Sequence, residues 1–286
     1  MIKIDYKIEN KLIKKLLEDE NIQKLEKRKL TQKLFFFKKD FADVYFFSGK
    51  INKGDEAKLI NAKLVVVNSN KLKEKLLKQF KLDSSKISIL YPSITKKTFQ
   101  SKNKEIFFEK YNIPLDYKVV FFTAKDFKKS GIKEFLELIK SIHYKYVQFI
   151  IAGNKKDISN LKFLTSKSDI KDKIIYLEDF KNIDLLFFIC DIFVLPTQKT
   201  AFATSILKAM YYKSAVFVPS SNSASEVVDV FATMNRYDDG STPFKVDALL
   251  GRKEDLDLIK NDNFNIAKEF TFDKSLKKIK SILHNV

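Results

Sequence analysis

The sequence predicts an α/β protein built around a doubly wound parallel sheet, and three observations lead there. Short runs of branched and aromatic residues, such as Lys63 to Val67 (KLVVV), Lys118 to Thr123 (KVVFFT) and Ile192 to Leu195 (IFVL), have the length and continuous apolarity of strands buried on both faces. Segments of roughly 10–15 residues with helical spacing separate them, the pattern of βαβ units whose ligands bind at the carboxyl ends of the strands. A chain of 286 residues is long enough for one or two such domains.

Taken in order, Met1 to Leu34 reads as helix, because Ile8, Leu12, Ile13, Leu16, Leu17, Ile22 and Leu25 recur at helical spacing among lysines and glutamates. Lys63 to Val67 is a strand, Asn68 and Ser69 cap a helix reaching Phe80, and Ile87 to Tyr91 is a second strand stopped by Pro92. A short helix over Glu105 to Tyr111 then precedes the strand Lys118 to Thr123. Gly131 to His143 is an amphipathic helix presenting Ile132, Phe135, Leu136, Leu138, Ile139 and Ile142, and Val147 to Ala152 is the next strand. Helices at Ile158 to Leu164, Ile183 to Ile189, Thr204 to Tyr211 and Ser223 to Val230 alternate with strands at Ile174 to Leu177, Ile192 to Leu195 and Ala215 to Val218.

Composition narrows the function classes. The net charge of +18 invites a nucleic-acid reading. Only Arg28, Arg236 and Arg252 are arginines, however, leaving 51 scattered lysines where phosphate and base recognition favours the arginine fork, so nucleic acid is not expected as a partner. No apolar run approaches the roughly 18–20 residues of a membrane span, and MIKIDYKIENKL lacks the features of a signal peptide, so a cytoplasmic location is expected. The single cysteine, Cys190, fits a packing role ahead of a buried strand. His143 and His284 read as surface residues, and with no paired cysteines no metal site is expected. Asp238, Asp239 and Gly240 read as a turn. Lys11, Lys14 and Lys15 beside Leu12, Leu16 and Leu17 suit either packing on a sheet or peripheral contact with anionic lipid at the inner membrane face.

Six segments in a fixed order then carry a resemblance to a known family. VVVNSNKLKEKLLKQFKLDSSKISILYPSI, from Val65, is a strand ending in N-S, a helix and a strand leading to a linker. EIFFEKYNIP and KVVFFTAKDFKKSGIKEFLELIKSI form a linker helix, a strand and a lysine-rich loop; VQFIIAGN and KIIYLEDF are two further strands. DIFVLPTQKTAFATSILKAM and SASEVV complete the series. Together they resemble the nucleotide-sugar half of a GT-B glycosyltransferase of family 4, from about residue 60 to the end. The resemblance implies a C-terminal Rossmann-like donor domain over 96–286, whose final helix returns to the N-terminal part, and a reduced N-terminal α/β domain over 1–95 on the acceptor side. It further implies transfer of a sugar from a nucleotide-sugar donor to a cell-envelope glycan or lipid-linked acceptor, with no cofactor or metal.

Site residues follow from the same match. The family's basic pair that neutralises the donor diphosphate falls on Lys125 and Ser130, with Lys128 and Lys129 adjacent, and Glu178 falls where backbone meets the nucleobase. The family's two glutamates, eight positions apart, fall on Thr200 and Lys208; their flanking glycines become Ala201 and Ala203 around Phe202, and Thr204 opens a helix whose free N–H groups suit a phosphate. A lysine has no acceptor for ribose hydroxyls, and the alanine methyls crowd a diphosphate. No catalytic residue is assigned. The alternative expectation is therefore a catalytically inactive relative serving as a binding or scaffold partner of another protein.

Overall fold

The computed structural model describes residues 1–26, 40–284 and 286. It separates into two compact units, Met1–Ser93 with Thr271–Val286, and Ile94–Phe270. Among the described residues each is built on its own sheet, of five and six strands, and every strand pairing is parallel.

The first unit runs β1 (Ile2–Tyr6), α1 (Lys11–Leu16), β2 (Ile22–Lys24), β3 (Val44–Phe47), α2 (Asp55–Asn61), β4 (Leu64–Val67), α3 (Asn70–Gln79) and β5 (Ile87–Ile89), with the C-terminal helix Phe272–Leu283 packed on it. The strands lie in the order β2-β1-β3-β4-β5. Their continuous apolarity has a simple cause: with a period of two, Val44, Phe46, Leu64 and Val66 enter one core with Ile4 and Ile279, while Tyr45, Phe47, Val65 and Val67 enter another with Leu59 and Leu76.

The helix expected from Met1 to Leu34 is corrected here. Ile2 and Ile4 alternate with polar residues, both pair with β2 and Ile4 also pairs with β3, so a strand is the better use of them. Asn10 then starts α1 by accepting the Ile13 N–H at 2.9 Å. The helix lasts six residues before Asp19 makes the turn into β2, its carboxylate accepting the Asn21 N–H and its backbone C=O the Ile22 N–H. Beyond residue 26 the expected helix lies outside the described residues. Leu12, Ile13 and Leu16 keep their helical spacing but are buried with the C-terminal helix, so this stripe belongs to the core and not to a lipid surface.

The second unit contains α4 (Ser101–Lys110), β6 (Lys118–Thr123), α5 (Ile132–Ser141), β7 (Val147–Gly153), α6 (Lys155–Thr165), β8 (Ile174–Glu178), α7 (Ile183–Ile189), β9 (Ile192–Val194), α8 (Thr204–Tyr211), β10 (Ala215–Pro219), β11 (Thr233–Met234), α9 (Thr242–Gly251) and α10 (Lys253–Ala267). The sheet order is β11-β10-β9-β6-β7-β8. The chain lays β6, β7 and β8 outward in one direction, then crosses back to place β9 on the other side of β6. The carboxyl ends of β6 and β9 are thus the switch point of the topology, where connecting loops part to opposite faces and leave a crevice.

Phe121, Phe122, Phe193 and Phe217 are fully buried, each contributing about 1.5–3 kcal/mol of burial. Asp191 ties the sheet together from within, accepting the Val119 N–H at 3.0 Å and pairing with Lys260 at 2.7 Å. Cys190 is packed beside Ser214, and burial pushes its thiol up to about 12. His143 and His284 are exposed. The Asp238-Asp239-Gly240 stretch is a turn in which Asp239 accepts from the N–H groups of Asn235 and Ser241. The helix expected over Ser223 to Val230 is only a single tight turn, Ser223–Val227, because Val228 is already extended.

Candidate functional site

Two loops meet at the switch point. The first follows β6 and includes Ala124 to Gly131. In it Asp126 accepts the Lys129 N–H at 3.1 Å, closing a tight turn over Lys128–Ser130, and Phe127 is buried against Phe122. Gly131 ends the loop at φ +84°, and a Cβ there would lie 1.9 Å from the Pro196 carbonyl oxygen. Only glycine permits both the conformation and the contact.

The second loop follows β9 and interlocks with the first. The Lys129 carbonyl accepts from the Gln198 N–H at 3.1 Å and the Thr197 hydroxyl at 3.2 Å. Lys199 extends its ammonium to the Ser130 hydroxyl at 3.3 Å and to within 3.9 Å of Asp126. Asn222, fully buried, anchors the rest of this loop: its amide donates to the carbonyls of Lys199 (2.7 Å) and Ala201 (2.8 Å), and its oxygen accepts from the N–H groups of Ala203 (3.2 Å) and Ala224 (2.9 Å). The loop runs into α8 at Ala203, which makes no side-chain cap, so the first turn with Thr204 and Ser205 presents its backbone donors without one.

The sequence-derived residues divide into three groups. Lys125, Lys128 and Lys129 stand exposed on the first loop, with Ser130 buried beneath, and Thr200, Ala201, Phe202, Ala203 and Thr204 follow on the second; these nine therefore lie on two loops that are joined at Lys129 and Ser130. Thr200 accepts through its carbonyl from Ser223 N–H at 2.9 Å. Glu178 sits on the edge strand β8, two strands from β6, and Lys162 at 2.7 Å holds its carboxyl below the usual range.

Lys208 is the third case. On α8 its ammonium is 2.5 Å from Asp184 at the start of α7, and Lys97 reaches the other oxygen of the same carboxylate at 3.1 Å. Burial of Asp184 works to raise its pKa, but the hydrogen bonds from Lys208 and Lys97 outweigh it and leave the carboxyl below its ordinary value. The Tyr212 hydroxyl lies 3.1 Å from both the nitrogen and the carbonyl oxygen of Lys97, while the rings of Phe99, Phe188 and Tyr212 pack together in tilted and edge-to-face contacts.

Sequence reasoning missed Lys199, Asn222 and Asp184. Lys199 is one lysine among 51, and Asp184 reads as an ordinary first-turn acid. Asn222 sits in a serine-rich stretch that signals a turn without saying what it holds. Among the described residues no three His, Cys, Asp or Glu side chains gather in a way that would hold a metal, and no helix is long and apolar enough to cross a membrane.

Known structures share this architecture. A glycosyltransferase from Rickettsia africae superposes with a TM-score of 0.72 at 17% identity, over 95% of this chain and 79% of that one. HepE of Anabaena in complex with UDP superposes with a TM-score of 0.72 at 15% identity, over 85% of this chain and 72% of that one. Two parallel-sheet α/β units of this kind define the GT-B class of glycosyltransferase fold. Residues 103–237, a little under half of the chain, match the family of glycosyl transferases group 1. The N,N'-diacetylbacillosaminyl-diphospho-undecaprenol alpha-1,3-N-acetylgalactosaminyltransferase of Campylobacter jejuni is 31% identical over 143 residues. That match spans 49% of this chain and 35% of the relative's length.

Proposed function

We propose that the chain is a glycosyltransferase that moves a sugar from a nucleotide-sugar donor to a cell-envelope glycan or lipid-linked acceptor at the cytoplasmic side of the membrane. In this reading the 96–286 part binds the donor and the 1–95 part serves the acceptor. One observation carries it: the loops after β6 and β9 are locked together at the switch point, with Lys128 and Lys129 exposed on one and the uncapped start of α8 on the other. Departure of a nucleoside diphosphate places negative charge on the phosphate bridge, and donors already fixed there stabilise it without reorganisation. The similarity to a transferase whose name specifies a diphospho-undecaprenol acceptor supports the acceptor class. The test is calorimetry across a panel of uridine, guanosine and adenosine diphosphates and their sugars. At least one binds with a Kd of about 1 mM or tighter, and the K128A/K129A double variant weakens it. Silence across the panel removes this reading.

A second reading, an inactive relative that binds a glycan or protein partner, is favoured by the commitment of Lys208 to Asp184. The donor panel separates the two.

A further inference from the structure

We infer that Lys199 is the principal diphosphate-binding cation of this site, reaching from the second loop to the place where the first loop carries Ser130. This rests on the donor reading above and adds a residue to it. Ser130 is buried and uncharged, so the first loop offers no cation at its own innermost position. The Lys199 ammonium lies 3.3 Å from the Ser130 hydroxyl, and so occupies that position from the opposite side of the crevice.

The backbone of Lys199 is fixed on both sides. Its N–H donates to the Thr197 hydroxyl at 3.1 Å and its carbonyl accepts from Asn222 at 2.7 Å, so the side chain leaves a rigid base. Lys125, Lys128 and Lys129 are exposed lysines on the first loop, and Lys199, though also exposed, differs from them in reaching across to Ser130 and Asp126 of the other loop. A cation bridging the two loops at the switch point is pre-positioned for an anion entering between them. Its present partners suit that role. Asp126 at 3.9 Å and a neutral hydroxyl keep the ammonium in place, and a diphosphate, carrying more charge than one carboxylate, displaces Asp126. The Lys199 side chain is 44% exposed, so entering ligand can reach it.

The test is titration of UDP, GDP and ADP into the full chain and into K199M, K199R, D126N and K167M. Lys167 is an exposed lysine in the turn after α6, so K167M removes the same net charge away from the site. Loss of one charge-assisted hydrogen bond predicts that K199M weakens the bound diphosphate about tenfold or more, whereas K199R and K167M retain it. D126N frees the ammonium and tightens binding. Equal affinity in K199M and the unaltered protein overturns the assignment of Lys199 while leaving the donor reading intact. Weaker binding in D126N overturns the exchange of Asp126 for diphosphate. An unaltered protein that binds none of the three overturns the donor reading and this inference with it.

Discussion

The ammonium of Lys208 lies 2.5 Å from Oδ1 of Asp184, joining α8 to α7 at the position where the family resemblance implies a ribose-binding glutamate. The substitution is thus matched by a local partner of opposite charge. A glutamate placed at 208 meets Asp184 as a like charge, so K208E alone is expected to destabilise the second unit by about 2–3 kcal/mol. That is at or below the low end of the ~3–5 kcal/mol for breaking a buried pair, because Lys208 is 30% exposed and Lys97 still holds Asp184. Urea denaturation reads this loss. Adding D184N to K208E removes the repulsion and recovers part of it, a coupling that a double-mutant cycle measures.

The same carboxylate predicts the acid behaviour. Asp184 has a folded-state pKa below its unfolded value, because the hydrogen bonds from Lys208 and Lys97 outweigh burial. Its stabilisation is fully present above the unfolded value of about 3.9 and is lost as pH falls through the lower folded value. In that window the unfolded chain binds the extra proton, so stability rises with pH. K208M lifts the folded value toward the ordinary one and flattens this limb. Urea midpoints measured between about pH 2 and pH 5 check the slope.

Gly131 is expected to tolerate no side chain. Alanine there combines a φ of +84° with a Cβ 1.9 Å from the Pro196 carbonyl oxygen, which is backbone and does not rotate away. The left-handed conformation alone costs about 1–2 kcal/mol for a non-glycine residue, and the clash adds to it. G131A therefore lowers the thermal midpoint and weakens nucleotide binding together, because the contact that it breaks aligns the two loops.

Asn222→Ala removes the partners of two carbonyls and two N–H groups at once. Each group left buried and unpaired costs about 1–3 kcal/mol, although loop relaxation recovers part of the sum, so a net loss of about 3 kcal/mol is expected. Hydrogen exchange localises it: amides of the second loop lose protection first, ahead of β6 and β7.

Much of this architecture was legible in the chain because buried parallel strands announce themselves. Lys118–Thr123, Ile183–Ile189 and Thr204–Tyr211 have the bounds that their apolar spacing predicts. The N-terminal segment misled because Leu12, Ile13 and Leu16 are helical in spacing and in fact, and their pattern runs on either side into strands whose alternation is only a few residues long. The first-loop lysines and the small residues before α8 were legible from the order of segments. Their partners were not, since Asn222 and Asp184 act through geometry between segments distant in sequence: Asn222 is 19 to 23 residues from its loop partners and Asp184 is 24 from Lys208. Lys199 was hidden by abundance.

The central claim is a location: an anionic nucleotide binds where the loops after β6 and β9 meet. Reductive methylation with a carbon-13 label makes each lysine visible by NMR, and single Lys→Arg variants assign the signals. On addition of a nucleoside diphosphate the account predicts that the signals of Lys128, Lys129 and Lys199 move together and saturate with one affinity, while that of Lys167 stays in place. Shifts confined to lysines away from both loops, or no saturable shift with any of the diphosphates, would contradict it.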